Sequence, residues 1–281
     1  MKTREIEFSG MTAIEITTSA ARMVVVTDRG PRIAFFGKPG EDNLLFWDQN
    51  DLARGDWKLM GGHRVWGARP MADESEDAYR PDNGPCKVEE KDDALIITSA
   101  RDKELAITHG FAISQNDESM FSVNNFISNV GEMLYSTSVW ALTCTKPAAD
   151  TSYHIPLGDH SEWDCFNLVM FRKWGGGHTS PINDPQISFT EDELVLSPQG
   201  IESKRMLQAP RGTLTMRAPD RGIFFSKQVE YQAAASYPLG CNLAFYVGPD
   251  NFMVEMESMG PEQTIKPGET AFSREVWKIE E

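Results

Sequence analysis

Short runs of β-branched and aromatic residues, each cut off by glycine or proline, dominate this chain and restrict what it can fold into. Three such runs come early, at residues 13–17, 23–27 and 32–36. Runs of this length and residue type are typical of strands. No stretch keeps an apolar period of 3.6 over three helical turns, so the pattern predicts an all-β protein with many strands and few helices.

The length of the chain is compatible with a single large core. All-β sandwiches and barrels of about this size are often one domain, so we predict one domain over residues 1–281. Residues 71–85 interrupt the strand pattern with many acids, two prolines and a glycine. This segment is expected to be a long exposed excursion, and loops of this length within a compact domain are often functional.

The charge of the chain excludes one class of partner. Its formal net charge is −15, and the acidic residues are spread without a polyacidic run. Binding to nucleic acid depends on clustered Lys and Arg, so a nucleic-acid partner is not expected, and an uncharged ligand is easier to reconcile with this charge. The acidity is also explained by solubility alone.

The cysteines and the apolar runs bear on the compartment. The four cysteines form no CxxC pair, so neither a zinc knuckle nor a dithiol redox motif is expected, and the thiols are predicted to be reduced. We see no apolar run suited to a signal peptide or to a membrane span. The expected compartment is the cytoplasm, with no membrane partner.

A glycine pair followed by His63 and Arg64 has the composition of a binding site. The stretch at residues 57–70 contains Gly61-Gly62-His63-Arg64 with Trp57 and Trp66 on either side. Two glycines would let a ligand approach the main chain where an imidazole and a guanidinium are presented. The alternative is a surface turn whose glycines close a hairpin and whose His and Arg are solvated.

Two stretches near the C-terminus predict strands with polar side chains on one face. In residues 252–257 the alternation places Glu255 and Glu257 together on one face. They face either a cleft or, on an edge strand, water. In residues 225–231, Lys227 shares a face with aromatic residues. That pattern suggests a partly covered polar groove, or a lysine that extends past the edge of a core.

The irregular region at residues 150–184 holds three of the five histidines, His154, His160 and His178. They could ligate a metal, but their spacing matches neither HExxH nor His-x-His, so no metal site is assigned. One or two of them are expected to line a ligand cleft. Two other features have plain structural interpretations: His109 is expected to be structural, and the glycines at 175–177 to form a turn.

Several motifs in one order resemble a known superfamily. Residues 254–261, 265–270 and 274–277 resemble the C-terminal end of galactose mutarotase-like proteins, the aldose 1-epimerase superfamily. The nearer resemblance is to a bacterial branch with Gly-Gly-His-Arg-x-Trp early. That branch has Val-Trp-Ala-Leu-Thr in the middle, here at 139–143, and Tyr-Pro-x-Gly-Cys-Asn late, here at 237–242.

The resemblance implies a galactose mutarotase-like β-supersandwich of antiparallel sheets whose concave face binds a sugar. Family members open the hemiacetal by acid–base catalysis, in which a Glu takes the proton of the anomeric hydroxyl and a His protonates the ring oxygen. The family Glu corresponds to Glu257. The family segment that carries the acid His corresponds to residues 141–147, which contain no His.

These observations lead to one function hypothesis and two alternatives. The first is an aldose 1-epimerase-like enzyme acting at the anomeric carbon of a monosaccharide or uronate, with no cofactor, Glu257 as base, and His63 as acid or orienting donor. The other residues expected to contact the substrate are Arg64, Lys227, Glu255, Trp66, His154 and His178. The alternatives are a non-catalytic carbohydrate-binding protein that uses the same cleft, which the missing His favours, and a metal-dependent hydrolase or lyase built on the histidine-rich region.

Overall fold

The structure is a computed structural model that describes residues 1–54, 57–68, 82–158, 165–171 and 180–280, without the side chains of 49–54. The strands of the N-terminal half are β1 (Thr3–Phe8), β2 (Met11–Thr17), β3 (Arg22–Val26), β4 (Arg32–Gly37), β5 (Trp47–Arg54), β6 (Trp57–Gly61), β7 (His63–Ala68), β8 (Lys87–Lys91), β9 (Ala94–Thr98), β10 (Ile107–Gln115), β11 (Met120–Asn129) and β12 (Tyr135–Thr145).

The C-terminal half continues in the same manner. Its strands are β13 (Ser152–Pro156), β14 (Asn167–Met170), β15 (Ile187–Phe189), β16 (Glu193–Leu196), β17 (Ser203–Gln208), β18 (Thr213–Ala218), β19 (Ile223–Val229), β20 (Leu243–Val247), β21 (Val254–Met259), β22 (Gln263–Ile265) and β23 (Thr270–Glu280). Among the residues that the structure describes, short 3-10 turns lie at Pro219–Arg221, Pro238–Gly240 and Pro249–Asn251.

Two large antiparallel sheets pack face to face. The first runs β1-β2-β3-β4-β7-β12-β21-β20-β17-β14, with β22 beside β12. The second runs β15-β16-β13-β18-β19-β23-β11-β10-β9-β8, and β5 and β6 form a separate hairpin. This architecture confirms the all-β prediction, and the alternation of apolar residues is its cause. In β23, for example, every second side chain from Ala271 to Ile279 is buried.

The main core fills the space between the sheets. The rings of Phe36 from the first sheet and Phe225 and Trp277 from the second meet there at centroid distances of 5.0 to 5.3 Å. We call the face of the first sheet that is turned toward this core the inner face. Both sheets contribute to one core cluster. The extension of a single domain over residues 1–281 stays a prediction.

The opposite face of the first sheet, here called the distal face, is also buried. Side chains of β7, β12, β17, β20 and β21 pack there against Trp57 and Leu59 of β6. The hairpin of β5 and β6 therefore covers part of a surface that would otherwise be open. The four cysteines are free thiols in the structure. Within the ranges given above, no helix has the length and apolar character needed to cross a membrane.

Candidate functional site

The two glycines of the Gly-Gly-His-Arg stretch are required by packing against neighbouring backbone. Both have a positive φ, +84° at Gly61 and +71° at Gly62. A Cβ at Gly61 would lie 2.2 Å from the carbonyl oxygen of Phe46, and one at Gly62 would lie 2.4 Å from that of Ile33. The close approach predicted for a ligand is thus made by the protein's own main chain. The stretch is a buried junction between β6 and β7 and not a solvated turn.

His63 lies on the inner face, away from Glu257. Its Nδ1 is 2.8 Å from Thr143 Oγ1 and its Nε2 is 2.8 Å from Asn125 Oδ1. Because an amide oxygen only accepts, the proton of the neutral ring is on Nε2. Burial lowers the pKa of His63 to about 4, so the imidazole is neutral near pH 7. This placement does not fit the predicted role of His63 as the acid beside Glu257, because the sheet separates the two.

Lys227 also lies between the sheets. Its Nζ donates to Thr143 Oγ1 at 2.7 Å and to the Met256 carbonyl at 3.1 Å, and it is 3.0 Å from Glu275 Oε1. Burial lowers the pKa of Lys227. Burial acts to raise the pKa of Glu275, but Lys227, His63 and the hydrogen bonds from Ser258 and Trp277 together lower it. Lys227 therefore pairs with a core carboxylate and does not reach the face that carries Glu257. The predicted groove residue is a core residue.

The distal face brings Glu257 together with a lysine that the sequence did not indicate. Lys204 Nζ on β17 lies 2.8 and 2.7 Å from the two carboxylate oxygens of Glu257, and Trp140 Nε1 donates to Oε2 at 2.8 Å. The carboxylate is fully buried, and this burial raises the pKa of Glu257 to about 7 despite the neighbouring ammonium. A carboxylate of that pKa can both take and return a proton near neutral pH.

Arg64 and Glu255 form a second ion pair on the same face. Arg64 Nη2 lies 3.2 Å from Glu255 Oε1, and its guanidinium is stacked 4.4 Å from the ring centre of Trp66. Cys144 Sγ approaches the same carboxylate oxygen at 3.4 Å. Arg64, Trp66, Glu255 and Glu257 are therefore four predicted site residues that lie together on one face.

A second arginine adjoins this group. The antiparallel pairing of Ile33 with His63 places Arg32 beside Arg64 on the distal face. Arg32 is fully buried, its Nη2 lies 2.7 and 2.9 Å from the Asp82 carboxylate oxygens, and it also donates to the Lys58 carbonyl at 3.3 Å. We refer to these charged side chains together as the distal charge row: Asp82, Arg32, Arg64, Glu255, Glu257 and Lys204.

The remaining predicted residues do not join the row. His154 is on β13 of the second sheet, where its Nδ1 pairs with Glu193 Oε1 at 2.9 Å and its Nε2 lies 3.0 Å from Ser152 Oγ. His154 therefore does not line a cleft with Glu257, contrary to what the sequence led us to expect. His178 and His160 lie outside the described residues, as does most of the 71–85 segment. Among the residues that the structure describes, no group of His, Cys, Asp or Glu could hold a metal ion.

Comparisons with known proteins identify the fold. Neither a scan against protein-family models nor a search of curated proteins finds a match. Solved structures, in contrast, are similar over nearly the whole chain. A galactose mutarotase-like protein from Lactobacillus casei ATCC 334 is 12% identical with a TM-score of 0.65, over 95% of this chain and 100% of that one.

Two further structures agree. A galactose mutarotase-like protein from Clostridium acetobutylicum is 11% identical with a TM-score of 0.64, over 99% of this chain and 98% of that one. A candidate aldose 1-epimerase from Escherichia coli K12 is 13% identical with a TM-score of 0.66, over 96% and 99%. At such identities the similarity establishes the fold alone. It confirms the galactose mutarotase-like sandwich that the sequence resemblance implies, and the placement within a bacterial branch stays a prediction.

Proposed function

We propose that this chain, which has the galactose mutarotase-like fold, is an aldose 1-epimerase-like isomerase that interconverts the anomers of a monosaccharide or sugar acid. The observation that carries the proposal is the pair of Glu257 and Lys204 on the distal face, 2.7 Å apart and oriented by Trp140. The fold adds support by analogy, since structures named for this activity share it.

Anomer interconversion needs a base at the O1 hydroxyl and an acid at the ring oxygen O5. In the proposed step, Glu257 takes the O1 proton, the C1–O5 bond breaks, and O5 takes a proton from the Lys204 ammonium. The open-chain aldehyde then rotates about C1–C2. For closure, O5–H returns its proton to the Lys204 amine while O5 attacks C1, and the carbonyl oxygen takes the proton back from Glu257. Both residues regain their starting states, so protons and electrons balance.

Lys204 replaces His63 as the proposed acid for a geometric reason. O1 and O5 are bonded to the same carbon, so an acid and a base that are themselves in contact can serve both oxygens at once. Trp140 only donates and cannot shuttle a proton, so we assign it to orienting the carboxylate. Arg64, Glu255 and Trp66 are the proposed contacts to the rest of the sugar, with the indole offering an apolar surface to the pyranose ring.

The test is anomeric exchange followed by NMR on freshly dissolved aldoses and uronates. We expect the wild type to accelerate exchange and Glu257→Gln and Lys204→Met each to lose about a hundredfold to ten-thousandfold in rate. Glu230→Gln, an exposed acid paired only loosely with Arg274 at 3.6 Å, is the matched control and should keep full activity. Exchange that survives in Glu257→Gln would contradict the assignment.

The same experiment separates the non-catalytic alternative. That alternative draws on the missing family His at residues 141–147 and on the mutual neutralisation of Glu257 and Lys204, which would also suit a rigid binding surface. Saturation-transfer signals from a sugar without any acceleration of its exchange would favour a carbohydrate-binding protein over an isomerase.

A further inference from the structure

We propose that the substrate of this site is a sugar acid and that Arg32, next to Arg64, binds its carboxylate. The inference rests on the proposed function and narrows it from sugars in general to acidic ones. It starts from Arg32, a residue that the sequence motifs did not single out.

Two arginines side by side on one sheet face are an unfavourable arrangement. Arg32 and Arg64 follow from the register of β4 and β7 as cross-strand neighbours, and both are buried. Their guanidinium groups donate to consecutive carbonyls of β6, Arg32 to Lys58 and Arg64 to Leu59, each at 3.3 Å. Like charges opposite each other destabilise a sheet, and such a departure from a local rule is expected at functional sites.

Arg32 has donors that the protein does not use. Its Nη2 is engaged by Asp82 and Lys58, but Nε and Nη1 are buried and have no hydrogen-bond partner among the described residues. A buried donor without an acceptor costs free energy, so it calls for an explanation. A guanidinium can only donate, and the missing partner must therefore be an acceptor.

A purely structural explanation accounts for only part of this geometry. The ion pair with Asp82 fastens the segment after residue 81 to the sheet, and that role uses Nη2 alone. It leaves the other two nitrogens unexplained. Burial and the neighbouring Arg64 guanidinium lower the pKa of Arg32, while Asp82 opposes this effect. An anion placed against Arg32 would offset both unfavourable effects.

A carboxylate suits this position better than the other acceptors that a sugar offers. A hydroxyl group would accept a hydrogen bond but would not offset two adjacent guanidinium charges. A phosphate would bring a charge of about −1.5 to −2 close to Asp82 and Glu255. A carboxylate supplies one negative charge and planar acceptors that match guanidinium geometry.

The position of the arginines relative to Glu257 suits a single sugar. Arg64 contacts Glu255, which is two residues from Glu257 on the same face of β21. Arg32 lies farther from Glu257 than Arg64 does. Arg64 and Glu257 both pair with Leu142 of β12, and Arg32 is one strand beyond Arg64, so three strand spacings, about 14 Å at the backbone, separate Arg32 from Glu257. The long arginine side chain and the glutamate side chain cover part of that distance, and the remainder is on the scale of one pyranose with an exocyclic carboxylate. The net charge of −15 opposes long-range attraction of an acid, so recognition must come from these short contacts.

The experiment compares matched sugars that differ only at C6. Anomeric exchange of galactose, galacturonate and galactose 6-phosphate is measured with wild type, Arg32→Gln, and the double variant Arg32→Gln/Asp82→Asn. The double variant removes both charges of the pair and so guards against misfolding caused by an unpaired buried aspartate. Arg22→Gln, which removes an arginine paired with Glu15 outside the row, is the matched control.

We expect kcat/KM for the uronate to exceed that for the neutral sugar and the phosphate by about tenfold or more. Both Arg32 variants should raise KM for the uronate about tenfold to hundredfold and leave the neutral sugar nearly unchanged. Equal rates for acidic and neutral sugars, a preference for the phosphate, or equal losses for all sugars in the variants would overturn the inference.

Failure of the proposed function has a different signature. If no sugar exchanges its anomers faster than in buffer, calorimetry measures the binding of galacturonate and galactose to the same proteins. That measurement tests whether the site prefers a sugar acid to a neutral sugar. Uronate binding that is lost in both Arg32 variants and kept in Arg22→Gln would support the carboxylate site in a non-catalytic protein. Absence of uronate binding by the wild type would reject the inference.

Discussion

Replacing Lys204 with methionine tests the electrostatics of the site most directly. The ammonium lies 2.7 and 2.8 Å from the two oxygens of a fully buried carboxylate and 4.8 Å from the ring centre of Trp140. Methionine is an apolar side chain of similar length that removes the charge. Removing one partner of a buried ion pair costs about 3 to 5 kcal/mol when the other stays charged. Loss of the ammonium disfavours the charged form of the carboxylate, so the pKa of Glu257 should rise further above its wild-type value of about 7.

The sign of the pH dependence follows from this shift. A carboxyl group whose pKa is higher in the folded state than in the unfolded state adds to the free energy of unfolding at pH values below the unfolded-state pKa. That contribution is lost as the pH rises through the folded-state pKa. In wild type the loss is complete just above pH 7, whereas in Lys204→Met it continues to higher pH. The variant should therefore be near wild type in stability at pH 6 and about 3 kcal/mol less stable at pH 9.

Urea unfolding at pH 6 and pH 9 measures this difference in stability. Lys278→Met is the matched control, since Lys278 makes an exposed pair with Glu280 at 2.6 Å. It should show no comparable pH-dependent loss. An equal destabilisation of Lys204→Met at both pH values would refute the reasoning, because Glu257 would then not be the group that titrates.

Three further predictions concern the inner face and the glycine junction. Folded His63→Gln should keep the midpoint of the wild-type pH–rate profile, and a shifted midpoint would restore the histidine to the acid–base chemistry. Lys227→Met should lower the free energy of unfolding by about 3 to 5 kcal/mol, because it leaves the Glu275 carboxylate buried without its partner. The double variant Lys227→Met/Glu275→Met should recover part of that loss in urea titrations. Additive losses in the double variant would show that the two residues are not coupled. Gly62→Ala places a Cβ 2.4 Å from a backbone oxygen of β4. The free energy of unfolding of this variant should therefore fall by more than about 1 kcal/mol in the same assay, and unchanged stability would contradict the packing role of Gly62.

The architecture was predictable because strand alternation is a local property. The pattern of residues 252–257 placed Glu255 and Glu257 on one face, and the structure has them on one face of β21. The resemblance added the identity of the fold. The face of each side chain depends on residues within a few positions of one another, where the period of two decides the outcome. The fold identity depends instead on several short motifs that occur in one order along the chain.

The errors arose where a side chain's environment depends on distant parts of the chain. His63 and Arg64 are adjacent in β7, so they had to lie on opposite faces, but the glycines indicated a loop in which both could point to a ligand. Which face is the core was decided by Thr143 and Asn125, far along the sequence.

The lysines illustrate the same limit. Lys227 shares its face with Phe225, and this pattern fits a polar groove and a buried core equally well. The ion pair with Glu275, which comes from another strand, shows that the face belongs to the core. Lys204 carried no motif, because its partner Glu257 comes from a strand 53 residues away. Alternation within β17 places Lys204 beside Met206 but does not indicate what either one faces.

Strand β21 carries two charged networks, one on each face of the sheet, with only its own backbone between them. This arrangement limits which mutations the segment can accept. The side chains of its odd-numbered residues lie on the distal face. On the inner face, Ser258 Oγ donates to Glu275 and the Met256 carbonyl accepts from Lys227. Inserting or deleting one residue would exchange the two sets and send a carboxylate into the core. Divergence of this segment can therefore proceed by substitution but not by change of length, so we expect no gap at 254–259 in an alignment of homologous chains.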